Sequence, residues 1–563
     1  MILLRIIKCI FFVLILTILH ARAQEKVLTS NEVEKLIKQT YDKVHGACIK
    51  LVIRDTINNR DFGGFSGVIV SRDGLVLTAA HSVMPGTRYR VELPNGQKTI
   101  AIALGRMAFK TTDKKLDMAM LKIEEKANWP FVEIGNSQTL IPGEGCVGIS
   151  YPGSFFQVKP NVRFGRITRL DDGFGYIEST CKMEPGDSGG GLFNLEGALI
   201  GIRDKINVTE EENFDIQINL FRKYWSALQI PIDYKTLPVA DYKDEPPGQI
   251  KKINNIVEKP AVTDKSILNS AYTIYNDPSG IKPVALATAV SGRIYNLKSS
   301  VFVSKSSLID EHPWVDYKGK KILLTVTYRN RDNDLVVMQP NKPLTCFTSL
   351  QLERSVKKAA VAKNIGKFLV SPLGKGACKI GIMSTDTETL PSLFSRAQLG
   401  ALLDTVDGRL YVVDTARFYP AAKYLRIGDQ ILSLNNAKVS DPSDFNGRMR
   451  HFFIGDSIAL KIMRAGKSFQ VIIPFTLSTS RHVGDAFDGQ RSLRADGFEE
   501  VVVQDAAVSP EDCGGPVYDL AGNFVGINIA RHSRTATVIL PVGVINKVLL
   551  SNVDSITNKQ LAR

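Results

Sequence analysis

The sequence predicts a mainly β protein in which one all-β unit occurs twice, the second time with a different module inserted. Three observations predict it. From Cys48 to about Ile218, short apolar or alternating runs at 65–70, 74–79, 116–123, 145–150 and 197–202 are separated by Gly, Asn, Asp and Pro turns, which is the pattern of a barrel or sandwich. Pieces of this stretch return in order from Val290-Ser291-Gly292 onward. That return is interrupted, because Pro372 to Cys513 is far longer than the corresponding span from Pro152 to Ser188. With 563 residues, 44% hydrophobic and 23% charged, the chain has an ordinary globular composition that excludes a long disordered protein and suits about three or four domains.

Taken in order, Arg5 and Lys8 precede an apolar run from Cys9 to Leu19 and then Ala21-Arg22-Ala23, so residues 1–23 are expected to be a signal peptide. The run is too short to span a bilayer, and no later run approaches that length, so the mature chain is expected to be exported to a periplasm or the cell exterior with no transmembrane segment. Cys9 lies before the expected cut and cannot serve there as a lipid anchor. Thr29 to Glu32 forms a capping-box pattern, and Val33, Leu36, Ile37 and Val44 recur at helical spacing, predicting one amphipathic helix over 30–44. Residues 221–229, containing Trp225, are expected to form a closing helix. The stretch 236–264, with Asp244-Glu245-Pro246-Pro247-Gly248 and few large apolar residues, is expected to be a linker.

The formal charge of +14 has no run of five basic residues behind it, three of its cations (Arg5, Lys8, Arg22) fall on the leader, and no nucleic-acid motif occurs. A solvated basic face is therefore expected, without a nucleic-acid partner. Six cysteines follow the leader, at 48, 146, 181, 346, 378 and 513, with no zinc spacing among them and no readable disulfide connectivity. His45, His312, His451, His482 and His532 show no metal spacing either. Gly143 to Gly148 fits a dinucleotide fingerprint, but the following Ile149-Ser150-Tyr151-Pro152-Gly153 offers no helix, so the segment reads as a strand with glycine turns. Asn207-Val208-Thr209 is a glycosylation sequon, meaningful only where a secretory pathway reads it.

Three segments carry chemistry in an informative order: Thr78-Ala79-Ala80-His81, Leu116-Asp117-Met118-Ala119-Met120 and Gly186-Asp187-Ser188-Gly189-Gly190. A serine hydroxyl becomes a nucleophile only when a base takes its proton, and a histidine serves as that base when a carboxylate fixes its tautomer and stabilises its charged form. Glycines around Ser188 let the backbone turn sharply and aim the Gly186 and Ser188 amides at a developing oxyanion.

Together with Phe65 to Val70, Gly74 to His81 and Asp117 to Lys122, these segments resemble the chymotrypsin-like serine proteases, and more closely their exported HtrA/Deg branch, from about Cys48 to Gln229. The resemblance implies a chymotrypsin-like double β-barrel over 24–235, a trypsin-like serine protease domain with His81 and Asp117 on the first barrel and Ser188 on the second. It implies a serine endopeptidase with protein or peptide substrates, unfolded envelope proteins among them, that calls for no metal or organic cofactor. Two departures stand out. Asp187 replaces the Asn common in that branch, as in trypsin-type zymogens, yet no Ile-Val-Gly-Gly-like start exists to supply their activating ion pair. Lys182 occupies a position that often floors the primary specificity pocket, where it would favour an acidic substrate side chain or simply face solvent.

The second copy lacks the chemistry. Counting from Phe65-Ser66-Gly67 against Val290-Ser291-Gly292 without a gap brings Ser306 to the place of His81, Asp334 matches Asp117, and Cys513 matches Ser188 with Glu511 for Gly186. Residues 265–393 and 477–563 are thus expected to be the two parts of a degenerate protease-like domain. Between them, Leu399-Gly400-Ala401-Leu402 and Tyr424 to Asn435 look like a PDZ domain over 394–476, with Leu399 to Leu402 as the loop that would hold the carboxylate of a peptide C-terminus. The alternative function is a binding or chaperone-like scaffold on a protease fold. Oligomeric state stays open: relatives often form trimers, and an attached second barrel pair could replace those contacts.

Overall fold

The structure, a computed structural model, describes residues 26–55, 60–111, 115–155, 157–171, 173–207, 209–242, 255–257, 260–292, 300–341, 364–476 and 491–553. The expected leader, Cys9, Cys346, His482 and Val208 of the sequon lie outside them. The chain divides into two compact units, Met1–Ala261 and Val262–Arg563. No helix among the described residues is long and apolar enough to cross a membrane.

In the first unit the short strand Lys26–Leu28 leads into the helix Ser30–Val44. Its N-terminus is closed by a reciprocal capping box: the Thr29 hydroxyl accepts the Glu32 amide, and the Glu32 carboxylate accepts the Thr29 amide at 2.9 Å. Val33, Ile37, Tyr41 and Val44 face inward at the helical period. Six strands then close a ring in the order Lys98–Lys110, Arg88–Glu92, Cys48–Asp55, Arg60–Ile69, Leu75–Ala79, Lys115–Ile123 and back to Lys98–Lys110. A second closed barrel follows, ordered Tyr176–Ser179, Asn213–Gln217, Leu199–Ile206, Gly191–Asn194, Gly145–Ser150 and Asn161–Arg169. Closure leaves no bare strand edge. The segment that imitates a dinucleotide fingerprint is the barrel strand Gly145–Ser150, entered through Gly143 at positive φ.

Two expectations need correction. The single closing helix is two short ones, Ile218–Lys223 and Trp225–Leu228, broken at Tyr224, whose ψ of 27° is not helical. The expected linker is not free at its ends. The Asp241 amide donates to the Lys223 carbonyl (2.9 Å), the Tyr242 hydroxyl donates to the Asn219 carbonyl (3.2 Å), and Asn255–Val257 pairs in parallel with Lys26–Leu28. Backbone pairing needs no apolar side chains, which is why composition alone missed it.

The second unit repeats the design with one difference. Ala271–Tyr275, Ala285–Val290, Val301–Lys305, Leu335–Pro340, Lys320–Asn330 and Trp314–Tyr317 close a barrel. The next sheet runs Ala377–Ile382, Phe368–Gly374, Pro516–Asp519, Phe524–Ser533, Ala536–Pro541, Phe498–Gln504 and Glu388–Leu390, and among the described residues its two sides are joined by a single bridge between Met383 and Gln504, beside which the Ile382 amide donates to Asp505 Oδ1 at 2.6 Å, rather than by a continuous ladder. The copy is therefore one closed barrel and one incompletely closed sheet. Between Glu388–Leu390 and Phe498–Gln504 sits a six-stranded module, ordered Ala401–Val406, Arg409–Thr415, Gln430–Leu434, Ser457–Arg464 and Lys467–Pro474 with Ala437–Lys438 paired to Gln430–Leu434 off this path, and with the helix Pro442–Met449 capped by Asp441. It has its own core of Leu399, Leu410, Ile431, Phe445, Leu460 and Ile462.

Candidate active site

The strand Leu75–Ala79 ends in a short 3-10 turn, Ala80–Ser82, which carries His81 into the open. Its neighbour Lys115–Ile123 pairs Ala79 with Met118, and this register sets Asp117 beside His81. Asp117 is 8% exposed and holds His81 twice: Oδ1 accepts the His81 amide at 2.7 Å, and Oδ2 lies 3.1 Å from ring Nδ1. Gripping the main chain as well as the ring fixes the imidazole's direction. A second carboxylate reaches the same nitrogen, for Asp204 Oδ1 is 3.2 Å from His81 Nδ1.

Ser188 sits in a turn that only glycine permits at two points. Gly186 has φ 101°, and a Cβ there would lie 2.3 Å from the Gly153 amide nitrogen; Gly189 has φ 87°, and a Cβ would lie 2.1 Å from the Ser66 carbonyl. The amides of Gly186 and Ser188 have no acceptor among the described residues, so both donors are unspent. The Ser188 hydroxyl donates to the Asp204 carbonyl at 3.4 Å, and no hydrogen bond joins it to His81.

The turn is held from behind. Asp187 is fully buried in an ion pair with Arg163 from the strand Asn161–Arg169, and its carboxylate also accepts the Ser150 hydroxyl (2.8 Å) and the Glu184 amide (2.7 Å). A buried carboxylate is tolerable only with such compensation. Arg163 is thus an internal cation for Asp187. Lys182 is neither a free cation nor a solvent-facing one: its ammonium lies 3.7 Å from Glu210, with both side chains 16% exposed. That pairing removes most of the reason to expect a preference for acidic side chains.

Arg163 and Asp204 escaped sequence reasoning. The signal was present for Asp204, since Arg203-Asp204 is a charged pair inside the apolar strand Leu199–Ile206, and a charge in a buried strand demands a partner. His81, Asp117 and Asp204 are also the group of potential metal ligands among the described residues, their donor atoms within 4.8 Å of one another, but hydrogen bonds and charge pairing within the trio already account for this arrangement.

The second copy reproduces the scaffold of this site bond for bond. The Ser66 amide donates to the Ser188 carbonyl and the Leu286 amide to the Cys513 carbonyl; the Thr78 hydroxyl donates to the Ser66 carbonyl and the Ser304 hydroxyl to the Leu286 carbonyl; the Gly189 amide donates to Arg203 and the Gly514 amide to Asn528. These equivalences correct two assignments. Ala80 opens the turn as Ser306 does, so His81 corresponds to Ser307, not Ser306. Ser307 binds Asp334 as His81 binds Asp117, with amide to Oδ1 at 2.8 Å and hydroxyl to Oδ2 at 2.8 Å. Ser66 likewise corresponds to Leu286, not Ser291, so the 12 residues from Ser66 to Thr78 become 18 from Leu286 to Ser304, six more than in the first copy.

The other side chains there are spent. Lys305 is 1% exposed and donates to Asp334 Oδ2 at 2.5 Å, while Ser306 is held by Arg329 at 3.1 Å. Cys513 is fully buried, its sulfur 3.8 Å from the Ser492 hydroxyl and from the Ser509 carbonyl, and burial pushes its thiol pKa up. Glu511 lies in the 3-10 turn Pro510–Asp512, so the positive-φ residue that precedes Ser188 has no counterpart. His532 is buried on the Ala495 carbonyl at 2.8 Å.

In the inserted module, Gly400 has φ 71° and a Cβ there would meet Tyr419 at 2.1 Å; Leu399 is buried, and Ala401 and Leu402 begin a strand that pairs on one side only. Leu402 is 62% exposed along that strand.

Residues 65–202 match the trypsin-like peptidase domain and residues 397–474 the PDZ domain. The chain is 35% identical over 169 residues to serine protease HTRA1 of Xenopus tropicalis, covering 28% of this chain and 35% of that protein. It is 36% identical over 166 residues to serine protease HTR4 of Bos taurus and 34% identical over 166 residues to serine protease HTRA4 of Homo sapiens, each covering 28% of this chain and 33% of the relative. The chain thus spans about a third of the length of the curated relatives it matches. A crystal structure of the serine endoprotease from Yersinia pestis aligns over 80% of this chain and 99% of its own at 16% identity, with a TM-score of 0.30. The chain therefore joins a trypsin-like peptidase domain of chymotrypsin-like double-barrel fold to a PDZ domain, and its protease part is similar to the HtrA serine proteases.

Proposed function

We propose that the chain is a serine endopeptidase whose single working site lies in its first unit. The observation that carries this reading is the double grip of Asp117 on His81, in the same site as the unspent amides of Gly186 and Ser188. In this reading His81 Nε2 takes the Ser188 proton as Oγ attacks a peptide carbonyl, then returns it to the leaving amine, while Asp117 steadies the imidazolium and the two amides hold the oxyanion. The Ser188 hydroxyl must first turn from the Asp204 carbonyl toward His81, and catalytic hydrogen bonds that tighten only with substrate are common. Residues 24–235 would form the protease domain, 265–393 and 477–563 a non-catalytic copy, and 394–476 a PDZ domain that captures a peptide C-terminus on the edge strand Ala401–Val406. Export and unfolded protein substrates belong to the same proposal.

The hydroxyl resting on Asp204 favours a second reading, a protease-fold scaffold whose site is shut in the isolated chain. Fluorophosphonate labelling separates the two. Labelling and hydrolysis of a denatured protein that both vanish in Ser188→Ala support the peptidase. Labelling that survives the substitution excludes Ser188 as nucleophile, and no labelling of the native chain at any pH favours the scaffold.

A further inference from the structure

Asp204 rests on the reading of His81 as the base and adds something that reading does not require. Its side chain is 2% exposed, it comes from the second barrel, and it faces the nitrogen that Asp117 already engages from the first. Nδ1 carries at most one hydrogen, so two carboxylates at 3.1 and 3.2 Å compete for one donor. Asp117 is tied to the His81 main chain and sets the ring's direction, so the second carboxylate adds negative charge rather than orientation. Through its own carbonyl, the same residue also accepts the Ser188 hydroxyl.

We propose that Asp204 is a positioning residue that stabilises the charged form of His81 alongside Asp117 and so sets the pH above which the base is free to act. The groups facing this cluster are few. Asp117 and Lys115 come from the strand Lys115–Ile123, Tyr176 lies beside Asp204 from Tyr176–Ser179, and Asp215, paired with Arg203 at 3.3 Å, lies behind it on Asn213–Gln217. Burial disfavours the imidazolium, but hydrogen bonds and charge from Asp117 and Asp204 outweigh it and hold His81 above the ordinary histidine range. Burial and the like charge of Asp117 push Asp204 up, partly offset by its bond to His81. Burial would raise Asp117 too, yet its His81 contacts and Lys115 hold it below the usual carboxylate range. The sign follows directly. A raised pKa keeps the base protonated to higher pH, so removing the Asp204 charge lowers that pKa and extends activity toward acid.

The test uses the full chain and reads His81 itself. The histidine ring NMR resonances are titrated in wild type, Asp204→Asn and Asp204→Ser, with His81→Gln assigning the signal, and the pH profile of kcat/KM is measured on a denatured protein. In both Asp204 variants the apparent pKa of His81 is expected to fall by about one unit or more, and hydrolysis at pH 6 to rise roughly tenfold as the acid limb moves with it. A His81 titration unchanged in both folded variants overturns the proposal, whatever the activity. A titration that moves in a chain showing no Ser188-dependent hydrolysis upholds the role of Asp204 and rejects the peptidase reading instead.

Discussion

The two copies of the protease-like unit share a scaffold and differ in what fills it. In both, an aspartate at a strand edge receives the amide of a 3-10 turn, and a glycine at positive φ follows the central Ser188 or Cys513. In the first copy the aspartate faces a half-exposed imidazole; in the second it faces a buried lysine and a serine hydroxyl. The carboxylate that holds an imidazole in one copy has its counterpart paired with a buried lysine in the other. A conserved-looking backbone pattern thus says where a site stands, and only the side chains packed into it say whether it is open.

The sharpest way to break this comparison is to make one change in both copies. Asp117→Asn should lower kcat on a denatured protein about ten-thousand-fold, because the imidazole loses its orienting and stabilising partner. Asp334→Asn should leave hydrolysis unchanged and instead destabilise the fold by about 3–5 kcal/mol, because it strands Lys305 as a buried charge. Denaturant melts beside the kinetics decide it, and a large kcat loss in Asp334→Asn would refute the division of roles.

Next in size is the support behind the Ser188 turn. Arg163→Met or Asp187→Asn alone should cost about a hundredfold or more in kcat, since each leaves a buried charge unpaired beneath the oxyanion amides. The double variant, neutral on both sides, should recover part of that loss. Failure of the pair to recover more activity than either single variant would show that the two do not act as a unit.

Cys513 provides a smaller contrast. With a fully buried sulfur and a pKa raised by burial, it should resist a thiol reagent in the native chain and react only on unfolding. Rapid native labelling at Cys513, located by peptide mapping, would mean that the second site opens. The smallest expected effect lies on the PDZ edge strand. Leu402→Glu should weaken binding of a peptide with a free C-terminus about tenfold, measured by fluorescence anisotropy, with hydrolysis of a short peptide unaffected.

Local chemistry was legible and long-range pairing was not. The helix Ser30–Val44 carries its own cap and its own apolar period, so its bounds were readable. Strands Leu75–Ala79, Lys115–Ile123 and Gly145–Ser150 stood out as apolar runs between turns. His81, Asp117 and Ser188 stood out because a nucleophile, a base and a carboxylate each leave a local signature, glycines included. Asp204 and Arg163 left none that named their partners, for each meets its partner across strands far apart in the chain. The Ser306 assignment failed by one residue because ungapped counting began at Ser291 instead of Leu286 and could not see the six extra residues before Ser304, whereas the hydrogen bonds of Ser307 to Asp334 fix the place of His81.

By itself, the sequence determined the β-rich duplicated architecture, the inserted module and the three groups that stand as catalytic candidates, since periodicity, turn chemistry and reactive residue types are written locally. Only the tertiary structure decided which charges meet: two carboxylates on one imidazole, an arginine under Asp187, a glutamate on Lys182 and a buried lysine on Asp334 of the second copy. The physical reason is that charge pairing depends on through-space distance and burial, and barrel closure brings together residues whose separation in sequence carries no trace of that distance.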